Sequence, residues 1–190
     1  MSIMARCLIC IAIGLYLVPA QAAPPLQLVK EITGENLMDG KAVTVSAEKG
    51  LGTVVVFLSA LCPCSDSHNQ ELVALSKEYP EVQFLGVHSN LYESSDIAKP
   101  YFTRAAFSFP IIQDSQLKLA NQFKALKTPH VFVISKRGEI VYRGGVSSSQ
   151  DFNRADRKYL REALLDLKQN KPIHTPEGRT LGCAISRGTM

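Results

Sequence analysis

Thr53-Val54-Val55-Val56-Phe57-Leu58-Ser59-Ala60-Leu61-Cys62-Pro63-Cys64 decides how this chain reads. Its first half is an almost unbroken β-branched and aromatic run, the pattern of a strand covered on both faces. Its second half places two thiols one residue apart. Pro63 opens a helical pattern that continues to about Glu78, at a first turn where a missing N–H costs nothing. Thiols at the junction of a buried strand and a helix point to redox chemistry or soft-metal binding. Free N–H groups and the dipole at a helix N-terminus favour the thiolate, the form that attacks and ligates.

Outward from this junction the pattern alternates. Upstream, short strands are predicted at Leu26–Ile32 and Ala42–Ser46, with a turn at Asp39-Gly40 between them. Downstream, Val82–Val87 is a second buried strand, ending at His88-Ser89-Asn90. Ser94–Phe107 reads as a helix broken near Pro100, and Pro110–Ile112 as a short strand. Ser115 to about Ala125 reads as a helix. His130–Ile134 and Glu139–Arg143 form a hairpin about Arg137-Gly138. Asp151 to about Lys168 is an amphipathic helix with Tyr159, Leu160, Ala163, Leu164 and Leu167 inward, and Pro172 ends it. The order predicts an α/β fold: a central mixed sheet with helices on both faces and an antiparallel closing hairpin. Sites in such sheets form at the carboxyl ends of the strands, which brings Cys62 and His88 near each other.

At 190 residues the chain is long enough for one domain with a substantial core. Its net charge of +4 is scattered, and no basic stripe argues for nucleic acid. Residues 1–22 read as a signal peptide. Arg6 supplies the positive end, Cys7 to Val18 the apolar run, and Ala20-Gln21-Ala22 the cleavage site. Removing Arg6 and no acid takes the charge from +4 to +3. The expected mature protein is periplasmic or secreted, off the membrane, where a disulfide is permitted. Of five cysteines, Cys7 and Cys10 leave with the signal. Cys62, Cys64 and Cys183 remain, an odd number, so at most one internal pair forms and one thiol is left over for exchange, metal or an intermolecular bond.

Three stretches together resemble the thioredoxin superfamily, and within it the exported redoxin and peroxiredoxin-like branch. Phe57–Cys62 is similar to the strand that delivers the reactive cysteine. Thr128-Pro129-His130-Val131-Phe132-Val133-Ile134, with Gly138 and Tyr142-Arg143-Gly144, is similar to the cis-proline strand and final hairpin. Gly182-Cys183-Ala184-Ile185 is similar to a C-terminal Gly-Cys element. The resemblance implies a thioredoxin-like domain over residues 23–171 with an N-terminal strand extension, and a tail over 172–190 carrying Cys183. It also implies a cis bond at Thr128-Pro129, with Thr128 and Pro129 holding the substrate backbone. The chain departs from both subfamily motifs. Ser65 stands where a thioredoxin has its second cysteine. Ser59 stands for a peroxiredoxin's threonine, and Val55 for its proline.

The chemistry expected is thiol–disulfide exchange, with a peroxidase, and hence an antioxidant role, as the alternative. Cys62 is the nucleophile. Cys64 is preferred by proximity as the resolving thiol, although the very small ring it closes is strained, and Cys183 is its rival from the tail. His68, four residues after Cys64, and His88 are candidates for a proton relay or for half-buried packing. His130 is expected to pack in its strand and His174 to be solvated. A different class of function, a copper chaperone resembling the Sco type, would use Cys62, Cys64, His68 and His88. No organic cofactor is expected, because no phosphate-cradling loop or dinucleotide fingerprint occurs. The expected partners are protein or small-molecule disulfides, or peroxides, and a separate redox partner that recycles the enzyme.

Overall fold

Val54, Val55, Val56, Phe57 and Leu58 are all buried, so the strand they form needs cover on both faces and neighbours on both edges. The protein's structure, a computed structural model, supplies these; it describes residues 28–188. The segment read as a signal peptide lies outside the described residues. In chain order the elements are β1 (Glu31–Glu35), β2 (Ala42–Ser46), β3 (Gly52–Leu58), α1 (Pro63–Glu78), β4 (Val82–His88), α2 (Ser95–Ala105) and β5 (Ile111–Gln113). There follow α3 (Lys118–Gln122), β6 (Lys127–Thr128), β7 (His130–Ser135), β8 (Ile140–Gly144), α4 (Tyr159–Lys168) and β9 (Cys183–Ala184).

The five-stranded sheet runs β5-β4-β3-β7-β8, with β3 at its centre. β3 pairs parallel with β4 and antiparallel with β7, and β7 pairs antiparallel with β8. Successive side chains of a strand point to opposite faces. Val54, Val56 and Leu58 accordingly join one core with Leu72 and Leu75 of α1, Phe102 of α2, and Leu160 and Leu164 of α4. Val55 and Phe57 join the other core with Leu119 and Ala120 of α3 and with Ile32 and Val45 of the β1–β2 hairpin. Three helices therefore share one face, and α3 shares the opposite face with the hairpin.

Several boundaries differ from the sequence expectations. The first strand lies at Glu31–Glu35 rather than 26–32, and Leu28 makes only an isolated bridge to Glu139. α2 runs unbroken through Pro100. α3 is five residues long: Leu117 just before it and Lys124 just after it adopt positive φ, and the Asp114 carboxylate accepts from the N–H groups of Leu119 and Ala120. The last helix begins at Tyr159 instead of Asp151. Asp151 caps a separate 3-10 turn, Phe152–Arg154, and the apolar stripe that holds a helix to the core starts only at Tyr159.

The tail is ordered by the sheet it follows. Along β8 the Arg143 N–H donates to the Pro176 carbonyl at 3.0 Å, and the Gly178 N–H donates to the Arg143 carbonyl at 2.9 Å. Farther on, β9 pairs antiparallel with β6, setting Cys183 opposite Thr128 and Ala184 opposite Lys127. Ile185 is buried in the second core. Among the described residues no helix is long and apolar enough to cross a membrane.

Candidate active site

Cys62 is the N-cap of α1, in extended conformation, and its carbonyl accepts from the Asp66 N–H at 3.0 Å. The strand-to-helix change thus fixes its sulfur at the carboxyl end of β3. The residue is 2% exposed, and its sulfur lies 3.0 Å from the Thr128 carbonyl. The Thr128–Pro129 bond is cis. Because Thr128 is also the partner of Cys183, one residue links the reactive helix to the tail. The sulfurs of Cys62, Cys64 and Cys183 all lie within 4.8 Å of one another. Cys62 is buried, Cys64 half-buried and Cys183 exposed.

The three thiols differ in acidity. Burial pushes Cys62 up, but hydrogen bonds from the Cys183 thiol, the Thr128 side chain and the backbone of Cys183 and Ser65 outweigh it and bring Cys62 below the ordinary thiol value. The Thr128 hydroxyl is buried with no other partner, so it is free to turn toward a thiolate. Burial raises Cys64, and the Cys62 charge adds to that. Cys183 is pushed up to about 12 by burial, by its hydrogen bond to Cys62 and by the neighbouring sulfur charges. One sulfur is prepared to ionise and the other two are held as donors beside it.

The histidines occupy other places. His68 Nδ1 lies 2.6 Å from the Cys64 carbonyl and Nε2 lies 2.8 Å from Ser147 Oγ. Burial lowers its pKa, against the Cys64 carbonyl and the Asp151 and Glu71 charges, which raise it. His88 Nδ1 meets Gln113 and Nε2 meets Glu93 Oε2, each at 3.0 Å. Neither imidazole belongs to the group of groups close enough to share a metal ion, which among the described residues is Cys62, Cys64 and Cys183. His130 packs in its strand at 4.5 Å from the Phe132 ring, and burial lowers it to about 4. His174 is exposed in the tail.

Glu93 is the residue that sequence reasoning missed. It is 8% exposed and accepts from Ser59 Oγ, from the Ala60 N–H at 2.6 Å, from Asn90 Nδ2 at 2.9 Å and from His88. Burial raises its pKa, but these donors outweigh burial and hold the carboxyl below 4.5. Asn90 in turn accepts from the Ser186 N–H at 2.8 Å. The carboxylate thus ties the loop before Cys62 to the tail after Cys183. Its only sequence signal was position: an acid just past a strand end on the side where sites form.

Beside the sulfurs runs an open groove of about 2090 Å³. It is lined by Cys62 and Cys64, by Tyr101 of α2, by Asp151 and Arg154, and by Arg179 of the tail.

A family model described as Redoxin matches residues 20–160. The thiol-disulfide oxidoreductase ResA of Halalkalibacterium halodurans is 25% identical over 58% of this chain and 64% of its own length. The chain thus spans less than two thirds of that relative. An uncharacterized conserved protein from Geobacillus kaustophilus superposes with a TM-score of 0.79 at 24% identity, over 88% of this chain and 94% of its own. A secreted Mycobacterium tuberculosis disulfide oxidoreductase homologous to E. coli DsbE superposes with a TM-score of 0.52 at 16% identity, over 57% and 79%. The fold is thioredoxin-like.

Proposed function

The chain belongs to the redoxin family, and from that premise we propose that it is an exported thiol–disulfide oxidoreductase whose nucleophile is Cys62. The observation that carries this reading is the meeting of three sulfurs within 4.8 Å at the N-terminus of α1, with Cys62 alone made more acidic than an ordinary thiol. The Cys62 thiolate attacks one sulfur of a substrate disulfide, and the other sulfur leaves with the bonding electrons. Cys64 or Cys183 then gives up its proton and attacks Cys62. The second substrate thiol is released and an internal disulfide remains. The donors around Cys62 favour the thiolate that this attack uses. The apolar run and cleavage pattern of residues 1–22 support export, and a periplasmic or secreted compartment lets the internal disulfide persist.

Turnover of a model disulfide by the mature protein tests the reading. Cys62→Ser abolishes it, whereas retained activity would remove Cys62 as nucleophile. Peroxide is the alternative oxidant for the same thiolate, giving a sulfenic acid in place of the mixed disulfide, and a peroxide-consumption assay separates the two. A soft-metal reading is favoured by the same three sulfurs, since thiolates suit Cu(I). Stoichiometric Cu(I) binding that disappears in Cys183→Ser would support it.

A further inference from the structure

We propose that Cys183 is the sulfur at which a protein dithiol reduces the oxidised enzyme, docking on an apolar collar around the tail strand. The inference rests on the oxidoreductase reading and adds the resolving thiol, the site of reduction and the class of reductant.

Two independent features make the three sulfurs unequal. The first is access: Cys62 is 2% exposed beneath the tail, and Cys183 is exposed. A thiol carried by a folded partner reaches Cys183 without moving the tail. The second is leaving-group chemistry. Thiol–disulfide exchange is faster when the expelled thiol has the lower pKa. In a Cys62–Cys183 disulfide, attack on Cys183 expels Cys62, the acidic thiol, into the donors of Thr128 and Ser65. Attack on Cys62 would instead expel Cys183, a thiol that burial raises. Access and leaving group select the same sulfur.

The tail is built to hold Cys183 in this place. β9 pairs with Thr128 and Lys127, and the Ile185 N–H donates to the Leu126 carbonyl at 2.9 Å. Ser186 is held by Asn90, and Arg187 donates to the Ala125 carbonyl at 2.6 Å. Gly182, at φ +147, lies so close to the Thr128 carbonyl that a Cβ there would collide with it. The backbone edge of Thr128, expected from the family resemblance to take an extended substrate, is thus filled by the chain's own strand.

The same pairings bring exposed apolar side chains beside the tail. Leu126 (63% exposed) borders β9 on one side. Leu91 (43%), whose N–H meets the Ser186 carbonyl, and the adjacent Tyr92 (68%) stand beside the residues that follow it. Leu61 (62%) precedes Cys62. Apolar side chains flanking a docked partner exclude water from the contact, as at protein–protein hot spots. A small dithiol has no use for it, so its occupant is a polypeptide.

The reaction balances in two steps. A partner thiolate attacks Cys183 Sγ, the Cys62–Cys183 bond breaks, and its electron pair leaves on Cys62 as a thiolate. The partner's second thiol then loses its proton to solvent and attacks the partner's first sulfur. Cys183 departs and takes up a proton. The partner is oxidised by two electrons to its disulfide, and the enzyme returns as the Cys62 thiolate and the Cys183 thiol.

The test uses the full mature chain, oxidised with hydroxyethyl disulfide and mapped by mass spectrometry. It is then mixed with a thioredoxin whose second active-site cysteine is serine, and the trapped mixed disulfide is mapped. The expected result is a Cys62–Cys183 bond, then the probe on Cys183 with Cys62 free for alkylation. A probe on Cys62 or Cys64, or an oxidised chain linking only Cys62 to Cys64, overturns the inference and leaves the oxidoreductase reading standing. A chain that the disulfide does not oxidise at all sinks both. For the collar, Leu126→Asp is expected to slow reduction by wild-type thioredoxin about 10-fold and leave reduction by dithiothreitol unchanged. Equal rates with thioredoxin would remove the protein partner.

Discussion

Replacing Glu93 by Gln changes one oxygen to an NH₂ group in the middle of four donors. Oε1 faces Ser59 Oγ and Asn90 Nδ2, and a glutamine carbonyl placed there still accepts from both. Oε2 faces the Ala60 N–H and His88 Nε2. His88 adapts by moving its proton to Nδ1, where Gln113 accepts it. Ala60 has no such freedom, so its half-buried N–H is left opposite another donor. An orphaned buried donor costs about 1–3 kcal/mol, and loss of the charge weakens the bonds that remain, for a total of about 2–4 kcal/mol. The sign with pH follows from the depressed carboxyl. Its stabilisation is complete above the unfolded value near 4.5 and is lost as pH falls through the lower folded value. Urea unfolding of wild type and E93Q at pH 7 and at a series of acid pH values measures the gap, which is widest at pH 7 and closes below pH 4.5 as wild-type Glu93 takes a proton. A gap under about 0.5 kcal/mol at pH 7, or one that ignores pH, would refute the account of Glu93 as an ionised hub.

Gly182→Ala is expected to lift the tail, because its Cβ meets the Thr128 carbonyl and its φ of +147 is unsuited to alanine. Mapping after oxidation should show Cys62–Cys183 replaced by Cys62–Cys64, and an unchanged pair would show that the tail docks without that close approach. His130 stays neutral in the fold down to about 4 against an ordinary 6.5. Its depressed pKa means the unfolded chain binds the proton first, so stability falls as pH drops from 6.5 to about 4, by about 3 kcal/mol at 1.36 kcal/mol per pH unit. His130→Leu removes that part of the acid loss, and an identical pH profile would contradict it. Arg161 donates to Glu71 at 2.9 Å and to Glu78 at 2.6 Å, joining α4 to α1. Arg161→Ala strands the buried Glu71 carboxylate and is expected to cost about 2 kcal/mol, read as a lowered Tm.

The parts of the fold legible in sequence were those fixed by local pattern. The unbroken run at Thr53–Leu58 implied a central strand, Pro63 a helix start, and the Cys62–Pro63–Cys64 spacing the reactive junction. The parts that were not legible depend on contacts between distant segments. No periodicity in residues 173–188 says that Cys183 lies opposite Thr128, because that register comes from two-residue pairings and from glycines at close approaches. His88 was correctly placed at a strand end, but its ring is taken up by Glu93 and Gln113 rather than turned to the sulfurs. Strand position fixes where a backbone ends, whereas the partner of a polar side chain depends on which buried acid is nearest.

The acidity order of the three thiols also changes during turnover, and that change gives direction to the chemistry. Cys183 is a poor nucleophile while Cys62 carries charge, because that charge and the hydrogen bond it accepts both hold the Cys183 proton. Once Cys62 is bonded to substrate sulfur both causes vanish, and only burial and Cys64 still raise Cys183. The resolving thiol is therefore held back until there is something to resolve. Cys62→Ser reproduces the uncharged state. Its Cys183 should react with iodoacetamide faster than Cys183 of the reduced wild type at pH 8, by about 3-fold for each tenfold gain in thiolate, since intrinsic nucleophilicity falls as acidity rises. Alkylation rates resolved by peptide mass spectrometry measure this. Equal or slower reaction in Cys62→Ser would mean that burial alone sets Cys183 and that the Cys62 charge does not time the second step.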